Sequence, residues 1–447
     1  MKKQIIVIIA FLILLIQRVI TIGILIAVKI FPSLLKTIKE RVEFEELNES
    51  DLYGISFRTS GIEADVCFEV SSEGEYQQVA GIIEDLLNNQ KHVEIIYCSP
   101  SLESNIEKLK TRFSAQNLRI IRLPILKIKL IKEGPENLGF WVTASKFVFV
   151  RYDFFPNLIY ASMRNPKRKV YLVWASLKGK LGTVFSKALW RDFYNCFDAL
   201  VTPLLRQRKL FREIGIERKC IVCEFRVTQI MKRLEMRQKT FEARKLTQFI
   251  AFLESSEKIK SVFGSCYVDD IESLKEVLAQ AESRGLNILA PHSLSEKNIA
   301  DFERSLKEKK IDYHKVDSDD DLENMPLDIN VILLTAKGVL CELYSYGDFG
   351  YVGGGFERSV HSLLEPFVSG IKVFCGPLTH RSTEYDYILE RYPHLIEVIE
   401  ERSELASRLQ KDYSSLTARK DKEEDKQELD FSGEKQERLL FISELIS

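Results

Sequence analysis

An acidic segment, Phe-Glu-Val-Ser-Ser-Glu-Gly-Glu-Tyr at residues 68–76, joins an apolar run to a polar, helix-like stretch. Gly74 permits a tight turn there, and the free backbone N–H groups at the start of a helix can bind an anion. If Glu75 projects from this turn, its carboxylate can accept a proton from an attacking hydroxyl group. The alternative is that Glu73 and Glu75 only stabilise the positive end of the helix dipole.

A glycine-rich segment, Tyr-Val-Gly-Gly-Gly-Phe at 351–356, precedes Val-His-Ser-Leu-Leu-Glu-Pro at 360–366. Consecutive glycines after a strand let the backbone approach a ligand closely, and a following helix would present its N-terminus to phosphate. Glu365 lies four residues after His361, which predicts that both side chains share one helix face. Glu365 could then accept hydrogen bonds from ribose hydroxyls. The alternative is a purely structural turn.

A third segment, Phe-Cys-Gly-Pro-Leu-Thr-His-Arg-Ser-Thr-Glu-Tyr-Asp at 374–386, also follows an apolar run. Arg381 and the hydroxyl groups of Ser382 and Thr383 could contact a phosphate or a sugar. The alternative is the capped start of a helix.

The charge is unevenly distributed along the chain. Residues 101–245 hold 31 Lys and Arg against 12 Asp and Glu, although the net charge of the whole chain is −1. Such a basic half suggests an anionic partner, unless its charges are simply solvated. In residues 119–132 basic side chains alternate with aliphatic ones, which favours a lipid surface over nucleic acid. We therefore expect an anionic membrane surface and no nucleic acid among the partners.

The amino-terminal run at residues 5–28 is apolar and long enough to span a bilayer. Gln17 and Arg18 interrupt it, and a central arginine is costly in hydrocarbon. The run therefore either spans the membrane or lies in one leaflet. Basic residues follow it, which predicts a cytoplasmic main body by the positive-inside rule.

Eight cysteines are scattered through the chain, and Cys220 and Cys223 form its one CxxC spacing. Because this pair lies in an apolar, strand-like run, buried thiols are the favoured interpretation over metal or redox chemistry. The six histidines form no ligand-spaced cluster, so no metal site is expected.

These segments must be positioned by short apolar strands that alternate with polar helices, the pattern of parallel sheets covered on both faces. The pattern occurs twice, so we expect two α/β domains with a ligand cleft between the carboxyl ends of their strands. The charged stretch at 411–437 is expected to be a solvated helix or disordered. The predicted strands are 64–70, 93–99, 118–124, 146–154, 169–176, 198–204 and 220–225, then 261–266, 286–293, 331–338, 349–356 and 372–377.

Taken together, the Ser-Ser-Glu-Gly-Glu-Tyr loop, the Phe-Pro-Asn-Leu run at 155–158, the glycine and His…Glu-Pro block and the Cys-Gly-Pro loop resemble the bacterial Kdo (3-deoxy-D-manno-octulosonic acid) transferases. The resemblance runs from about residue 15 to about residue 410. It implies a GT-B fold: two Rossmann-like domains facing across a cleft, with a membrane-associated N-terminal helix. It also implies CMP-Kdo as donor, a lipid A precursor as acceptor, no cofactor or essential metal, and the cytoplasmic face of the bacterial inner membrane.

The sequence departs from the family pattern at several positions. The acidic segment before the Phe-Pro is reduced to Asp153, the Pro-Arg-His that grips the donor reads Pro291-His292-Ser293, and the asparagine after the histidine is Ser362. An Asn-Ala-Arg segment is replaced by residues 174–176. Two alternatives follow: a related membrane transferase that uses another nucleotide sugar, or a weakly active assembly factor.

The resulting expectation is an inverting glycosyltransferase in lipopolysaccharide core synthesis. We expect a membrane anchor and connector at 1–40, an acceptor domain at 41–245, a nucleotide-sugar domain at 246–410 and a charged tail or helix at 411–447. The expected site residues are Glu75 as catalytic base; Gly353, Gly354, Gly355, His361, Glu365, His292 and Arg226 for nucleotide-sugar binding; and Ser72, Asp153 and Arg381 in acceptor or secondary roles.

Overall fold

Val-, Ile- and Phe-rich runs form two parallel sheets of seven strands each, as their near-continuous apolarity predicts. The structure is a computed structural model, and it describes residues 2–30, 36–54, 61–126, 142–151, 154–177, 183–279, 285–326, 328–409 and 429–447. The first sheet contains β1 Val66–Val70, β2 Val93–Tyr97, β3 Leu118–Arg122, β4 Lys146–Val150, β5 Lys169–Val173, β6 Ala199–Thr202 and β7 Lys219–Val222. The second contains β8 Ile259–Cys266, β9 Gly285–Pro291, β10 His314–Val316, β11 Val331–Leu334, β12 Phe349–Val352, β13 Lys372–Cys375 and β14 Ile396–Val398.

Both sheets are doubly wound. Their strand orders are β3-β2-β1-β4-β5-β6-β7 and β10-β11-β9-β8-β12-β13-β14, so each order reverses beside its first strand. The helices of the first part are α1 Lys2–Ile30, α2 Lys36–Ser50, α3 Glu73–Asn88, α4 Glu103–Arg112, α5 Pro156–Met163, α6 Val184–Tyr194 and α7 Leu205–Glu213. Those that follow are α8 Phe225–Glu235, α9 Arg237–Ala243, α10 Thr247–Ser255, α11 Asp270–Ala279, α12 Glu296–Glu308, α13 Leu340–Leu343, α14 Leu364–Val368, α15 Thr383–Arg391 and α16 Ser432–Ile446.

The chain divides into two compact units, residues 1–226 with 432–447, and residues 227–431. The division thus falls before the expected boundary at 245, and the end of the chain returns to the first unit. Phe441 and Leu445 of α16 are fully buried in the core of the first unit. The Arg438 guanidinium also pairs with Asp85. The segment 411–447, although rich in charged residues, therefore contains a helix with one buried apolar face. Residues 410–428 lie outside the described part of the chain.

Helix α1 packs along the first unit. Ala10, Leu14 and Thr21 are buried on one face of the helix, and the Phe11 and Tyr160 ring centroids are 5.6 Å apart where α1 meets α5. The opposite face is apolar and exposed. Residues Lys3–Ile24 are long and apolar enough to cross a membrane.

The first two arginines of the predicted basic surface at 119–132 are buried, so that prediction is wrong for them. The Arg119 side chain is fully buried, and its Nη1 lies 3.0 Å from Oε1 of Glu94. Arg122 pairs with Glu103 and Asp51, with N–O distances of 3.0 Å. Both arginines lie on β3, whose residues are all buried, so each guanidinium is neutralised within the unit. Residues 127–132 lie outside the described part of the chain.

Candidate functional site

The strand order locates the expected sites. Ligands bind doubly wound sheets outside the carboxyl ends of the strands, where the order reverses. In the first sheet the order reverses between β1 and β4, and in the second between β8 and β12. The segments that follow β1, β8 and β12 begin at residues 71, 267 and 353, and they include the acidic loop and the glycine turn.

Glu75 lies in the first turn of α3, directly after β1. Its side chain is buried, with 6% exposed, and its Oε2 accepts a hydrogen bond of 2.7 Å from the backbone N–H of Ser71. Ser72 occupies the N-cap position and is exposed, and its carbonyl accepts from the Glu75 N–H at 3.1 Å. The Glu75 carboxylate is therefore held in one orientation at the start of the helix.

A second carboxylate adjoins this turn. Glu69, the fourth residue of β1, is 1% exposed, and its Oε1 accepts from the Ser71 hydroxyl at 2.6 Å. Ser71 thus donates to both carboxylates, its N–H to Glu75 and its O–H to Glu69. Sequence reasoning missed Glu69 because a glutamate inside an apolar strand carries no motif.

The glycine turn of the second unit closes around a buried aspartate. The Asp270 carboxylate accepts hydrogen bonds from the N–H groups of Gly354 at 3.2 Å and Tyr267 at 2.8 Å. It also accepts from the Tyr351 hydroxyl at 2.9 Å. Burial raises the pKa of Asp270, although these hydrogen bonds oppose the shift. The Gly354 N–H therefore binds a carboxylate of the protein itself.

Gly355 and Gly376 connect the glycine turn to the Cys-Gly-Pro loop. Gly355 has a φ of 69°, and a Cβ added there would lie 2.7 Å from the backbone of Gly376. A Cβ at Gly376 would lie 2.6 Å from the Gly355 carbonyl carbon. The Leu378 N–H also donates to the Gly355 carbonyl at 2.7 Å. Close backbone packing, the structural alternative, thus accounts for these two glycines.

A stack of rings lies beside this turn. The His292 and His361 ring centroids are 4.1 Å apart with an interplanar angle of 19°. His361 Nε2 is 2.8 Å from the Tyr267 hydroxyl. The Arg358 guanidinium lies over the Tyr267 ring, 4.2 Å from its centroid, and its side chain is exposed. The structure therefore brings together two predicted histidines with two residues that the sequence reasoning missed.

The histidines of this stack favour their neutral forms. Burial, together with the neighbouring His292 and Arg358, lowers the pKa of His361 to about 4. Burial and Arg358 also lower the pKa of His292. Near neutral pH, two uncharged imidazoles thus adjoin one exposed guanidinium, an arrangement that can receive an anionic group with hydrogen-bond acceptors.

The predicted helix that carries both His361 and Glu365 does not form. α14 begins at Leu364, so His361 precedes it and only Glu365 is helical. The N-terminus of α14 is bound by another carboxylate, because Oε2 of Glu384 accepts from the N–H groups of Leu363 and Leu364 at 2.7 and 3.2 Å. The phosphate site predicted at this helix start is thus occupied by a protein side chain.

The third segment is the capped start of a helix. The Ser382 hydroxyl accepts from the Tyr385 N–H at 3.2 Å as the N-cap of α15. Arg381 precedes this cap and is exposed. The capping alternative is therefore confirmed for Ser382, while a ligand role for Arg381 stays a prediction.

Of the remaining predicted residues, Arg226 belongs to the first unit and Asp153 lies outside the residues that the structure describes. Arg226 is the second residue of α8, and its N–H donates to Glu224 Oε1 at 3.1 Å. Tyr267 and Asp270, which were not predicted, follow the first strand of the second sheet, and that position in a doubly wound sheet was a signal available in the sequence.

The CxxC cysteines are thiols rather than a disulfide. Burial raises the pKa of Cys220 to about 12 and raises that of Cys223 as well, so both thiols stay protonated. Across the described ranges, no group of three or more His, Cys, Asp and Glu side chains is arranged to hold a metal ion.

Comparison of the sequence with known proteins identifies Kdo transferases. The chain is 27% identical to the 3-deoxy-D-manno-octulosonic acid transferase of Chlamydia muridarum over 199 residues, which are 44% of each chain. It is 32% identical to that of Aquifex aeolicus over 184 residues, 38% of this chain and 49% of the relative. The chain thus spans about half the length of these relatives, or slightly less. No protein-family model matches it.

Solved structures show the fold. UDP-GlcNAc 2-epimerase from Neisseria meningitidis, bound to UDP-GlcNAc, matches with a TM-score of 0.55 and 12% identity over 85% of this chain and 99% of that chain. The UDP-GlcNAc 2-epimerase from Methanocaldococcus jannaschii matches with a TM-score of 0.51 and 14% identity over 84% of this chain and 99% of that chain. The predicted GT-B architecture is confirmed by these matches and by the two parallel sheets. The chain is therefore a relative of the Kdo transferase family and has the GT-B fold.

Proposed function

We propose that the chain is an inverting glycosyltransferase that moves a Kdo residue from CMP-Kdo to a lipid A precursor. The sequence similarity to Kdo transferases supports the donor sugar. The observation that carries the proposal is Glu75, a carboxylate held by Ser71 where the strand order of the first sheet reverses.

In this mechanism Glu75 accepts the proton of an acceptor hydroxyl group as its oxygen attacks the anomeric carbon of the donor sugar. The new glycosidic bond forms as the bond to the CMP phosphate breaks, and CMP leaves with the electron pair. The second unit binds the donor through His292, His361 and Glu365. Arg358 offsets the negative charge on the departing phosphate.

We further propose that α1 holds the protein on the cytoplasmic face of the bacterial inner membrane. One face of α1 is buried against the first unit while the other is apolar and exposed, an arrangement that suits a helix lying in one leaflet. The lysines that follow the apolar run, Lys29, Lys36 and Lys39, favour the cytoplasmic side and an anionic surface.

The direct test is incubation of the purified protein with CMP-Kdo and a lipid A precursor, followed by mass spectrometry of the lipid. We expect a mass increase of one or more Kdo residues. Glu75→Gln should lower kcat by a factor of about 10²–10⁴ because the base is lost. Folding should persist, since the glutamine oxygen can still accept from Ser71.

Glu73→Gln is the matched control, because Glu73 lies in the same helical turn but is exposed, and its Oε1 accepts a long hydrogen bond of 3.4 Å from the Asn105 side chain. We expect near wild-type activity from it. A kcat of the Glu75→Gln enzyme within about threefold of the wild-type value would remove Glu75 from the mechanism. A mass increase with another nucleotide sugar, and none with CMP-Kdo, would refute the donor.

A further inference from the structure

An apolar cavity of about 710 Å³, open on one side, lies between α1, α5 and α6 of the first unit. Its volume is within the range of about 300–1,000 Å³ that small-molecule sites occupy. The first half of α1 forms one wall with Ile5, Ile9 and Ile13, and α6 forms the facing wall with Ala188 and Leu189.

Three aromatic side chains line the cavity, Phe154, Trp190 and Phe193. The Phe154 and Phe193 centroids are 4.7 Å apart, and Trp190 lies 5.9 Å from Phe193. Asp192 is the only charged side chain among the described lining residues, and it pairs with Arg191 at 3.0 Å where both are partly exposed. Because a stable water needs two to four polar partners, this interior suits an apolar occupant.

Exposed aliphatic side chains border the mouth on both sides. Ile9 is 50% exposed on α1, and Leu189 is 56% exposed on α6. Val184, at the start of α6, is 85% exposed. The border continues into the outer face of α1, where Ile8 and Leu12 are also exposed. A hydrocarbon chain could therefore pass from this face into the cavity without crossing a polar surface.

We propose that the cavity binds one acyl chain of a membrane phospholipid. This inference rests on the membrane association proposed above, and it does not depend on the transferred sugar. A helix whose outer face carries Ile8, Leu12 and Ile16 is solvated by hydrocarbon in a leaflet, so phospholipid chains are the ligand present at the highest concentration at the mouth. The bound chain fastens the first unit to the membrane.

The test is photocrosslinking in phosphatidylcholine–phosphatidylglycerol vesicles with a phosphatidylcholine that carries a diazirine on one acyl chain. We expect crosslinks on both walls, within residues 5–13 of α1 and 188–193 of α6. Ile9→Trp fills the cavity and should reduce crosslinking to α6 about tenfold, the effect of excluding some two methylene groups. Ala188→Phe should do the same from the facing wall.

Ile8→Trp is the matched control, because Ile8 has similar exposure to Ile9 but does not line the cavity. It should leave the crosslinks to α6 unchanged. Crosslinks confined to the outer face of α1, or equal loss in both tryptophan variants, would overturn the proposal. Displacement of the probe by a few mole per cent of lipid A precursor would assign the cavity to the acceptor and overturn the phospholipid assignment. Vesicle flotation of the same samples reports membrane association separately.

Discussion

At the scale of single residues, the second unit depends on two stacked histidines being uncharged. His361 has a pKa of about 4 in the folded protein, below its ordinary value of 6.5. As pH falls below 6.5, the unfolded chain takes up a proton that folded His361 does not. The contribution that neutral His361 makes to the stability of the folded protein is therefore complete above pH 6.5 and is lost as pH falls towards 4.

We accordingly expect His361→Gln to flatten the decline in thermal midpoint between pH 6.5 and pH 4. His380→Gln, a change at an exposed histidine of the same unit, should leave the decline as in wild type. An NMR titration of the His361 ring locates its pKa directly. A midpoint near 6.5 would contradict the burial argument.

Arg358 is the exposed cation of the same stack. Arg358→Gln should weaken CMP binding, because a charge-assisted hydrogen bond contributes about 1.5–3 kcal/mol, a factor of about ten or more in Kd. Titration calorimetry with CMP measures this. Arg304→Gln is the control, since Arg304 is exposed in the same unit and pairs with Asp301. Unchanged CMP affinity in Arg358→Gln would remove Arg358 from the proposed donor site.

At the scale of elements, apolar runs predicted the seven strands of the first sheet and five of the second. β10 and β14 were missed because three residues, His-Lys-Val and Ile-Glu-Val, are too short for a pattern to stand out. The helix expected around His361 failed for another reason. Four-residue spacing permits a shared helix face but does not specify where the helix begins, and Glu384 fixes that start from a distant part of the sequence.

The candidate site likewise combines residues that local sequence patterns indicate with residues that only tertiary contacts reveal. Local signals located Glu75, the glycine turn and the histidines, because each follows an apolar strand. The partners Glu69, Asp270 and Arg358 act through contacts that only the folded sheet creates. For Arg119 the local pattern was misleading. A basic side chain among aliphatic ones suggested a lipid-facing surface, whereas Arg119 is buried in the first unit and pairs there with Glu94.

The contact between the glycine turn and the Cys-Gly-Pro loop gives an element-scale prediction. Gly376→Ala should destabilise the second unit by about 1–3 kcal/mol, because its Cβ would overlap the Gly355 backbone. Gly433→Ala should be neutral or stabilising by up to about 1 kcal/mol, because no atom lies within 4 Å of its Cβ and the residue is helical. Chemical denaturation followed by far-ultraviolet circular dichroism compares them, and equal stability would contradict the packing argument.

At the scale of the whole molecule, the first unit is built from two separated parts of the chain. Phe441→Ala should destabilise that unit by about 3–5 kcal/mol, because the ring is fully buried against Phe225 and Tyr171. Leu440→Ala, at a side chain that is 51% exposed, should change stability by no more than about 0.5 kcal/mol.

Tryptophan fluorescence isolates this effect, because Trp141, Trp174 and Trp190, the three tryptophans of the chain, all fall within residues 1–226. A denaturant midpoint that Phe441→Ala leaves unmoved would show that the first unit does not need its last helix.

The return of α16 to the first unit also constrains synthesis. A ribosome completes all seven strands of the first sheet long before it translates residues 432–447, and residues 227–431 must be made in between. Until then the surface that receives Phe441 and Leu445 stays uncovered. The nascent protein therefore carries an exposed apolar patch that chaperones can bind, and a message truncated after the second unit yields a product that quality-control proteases should remove.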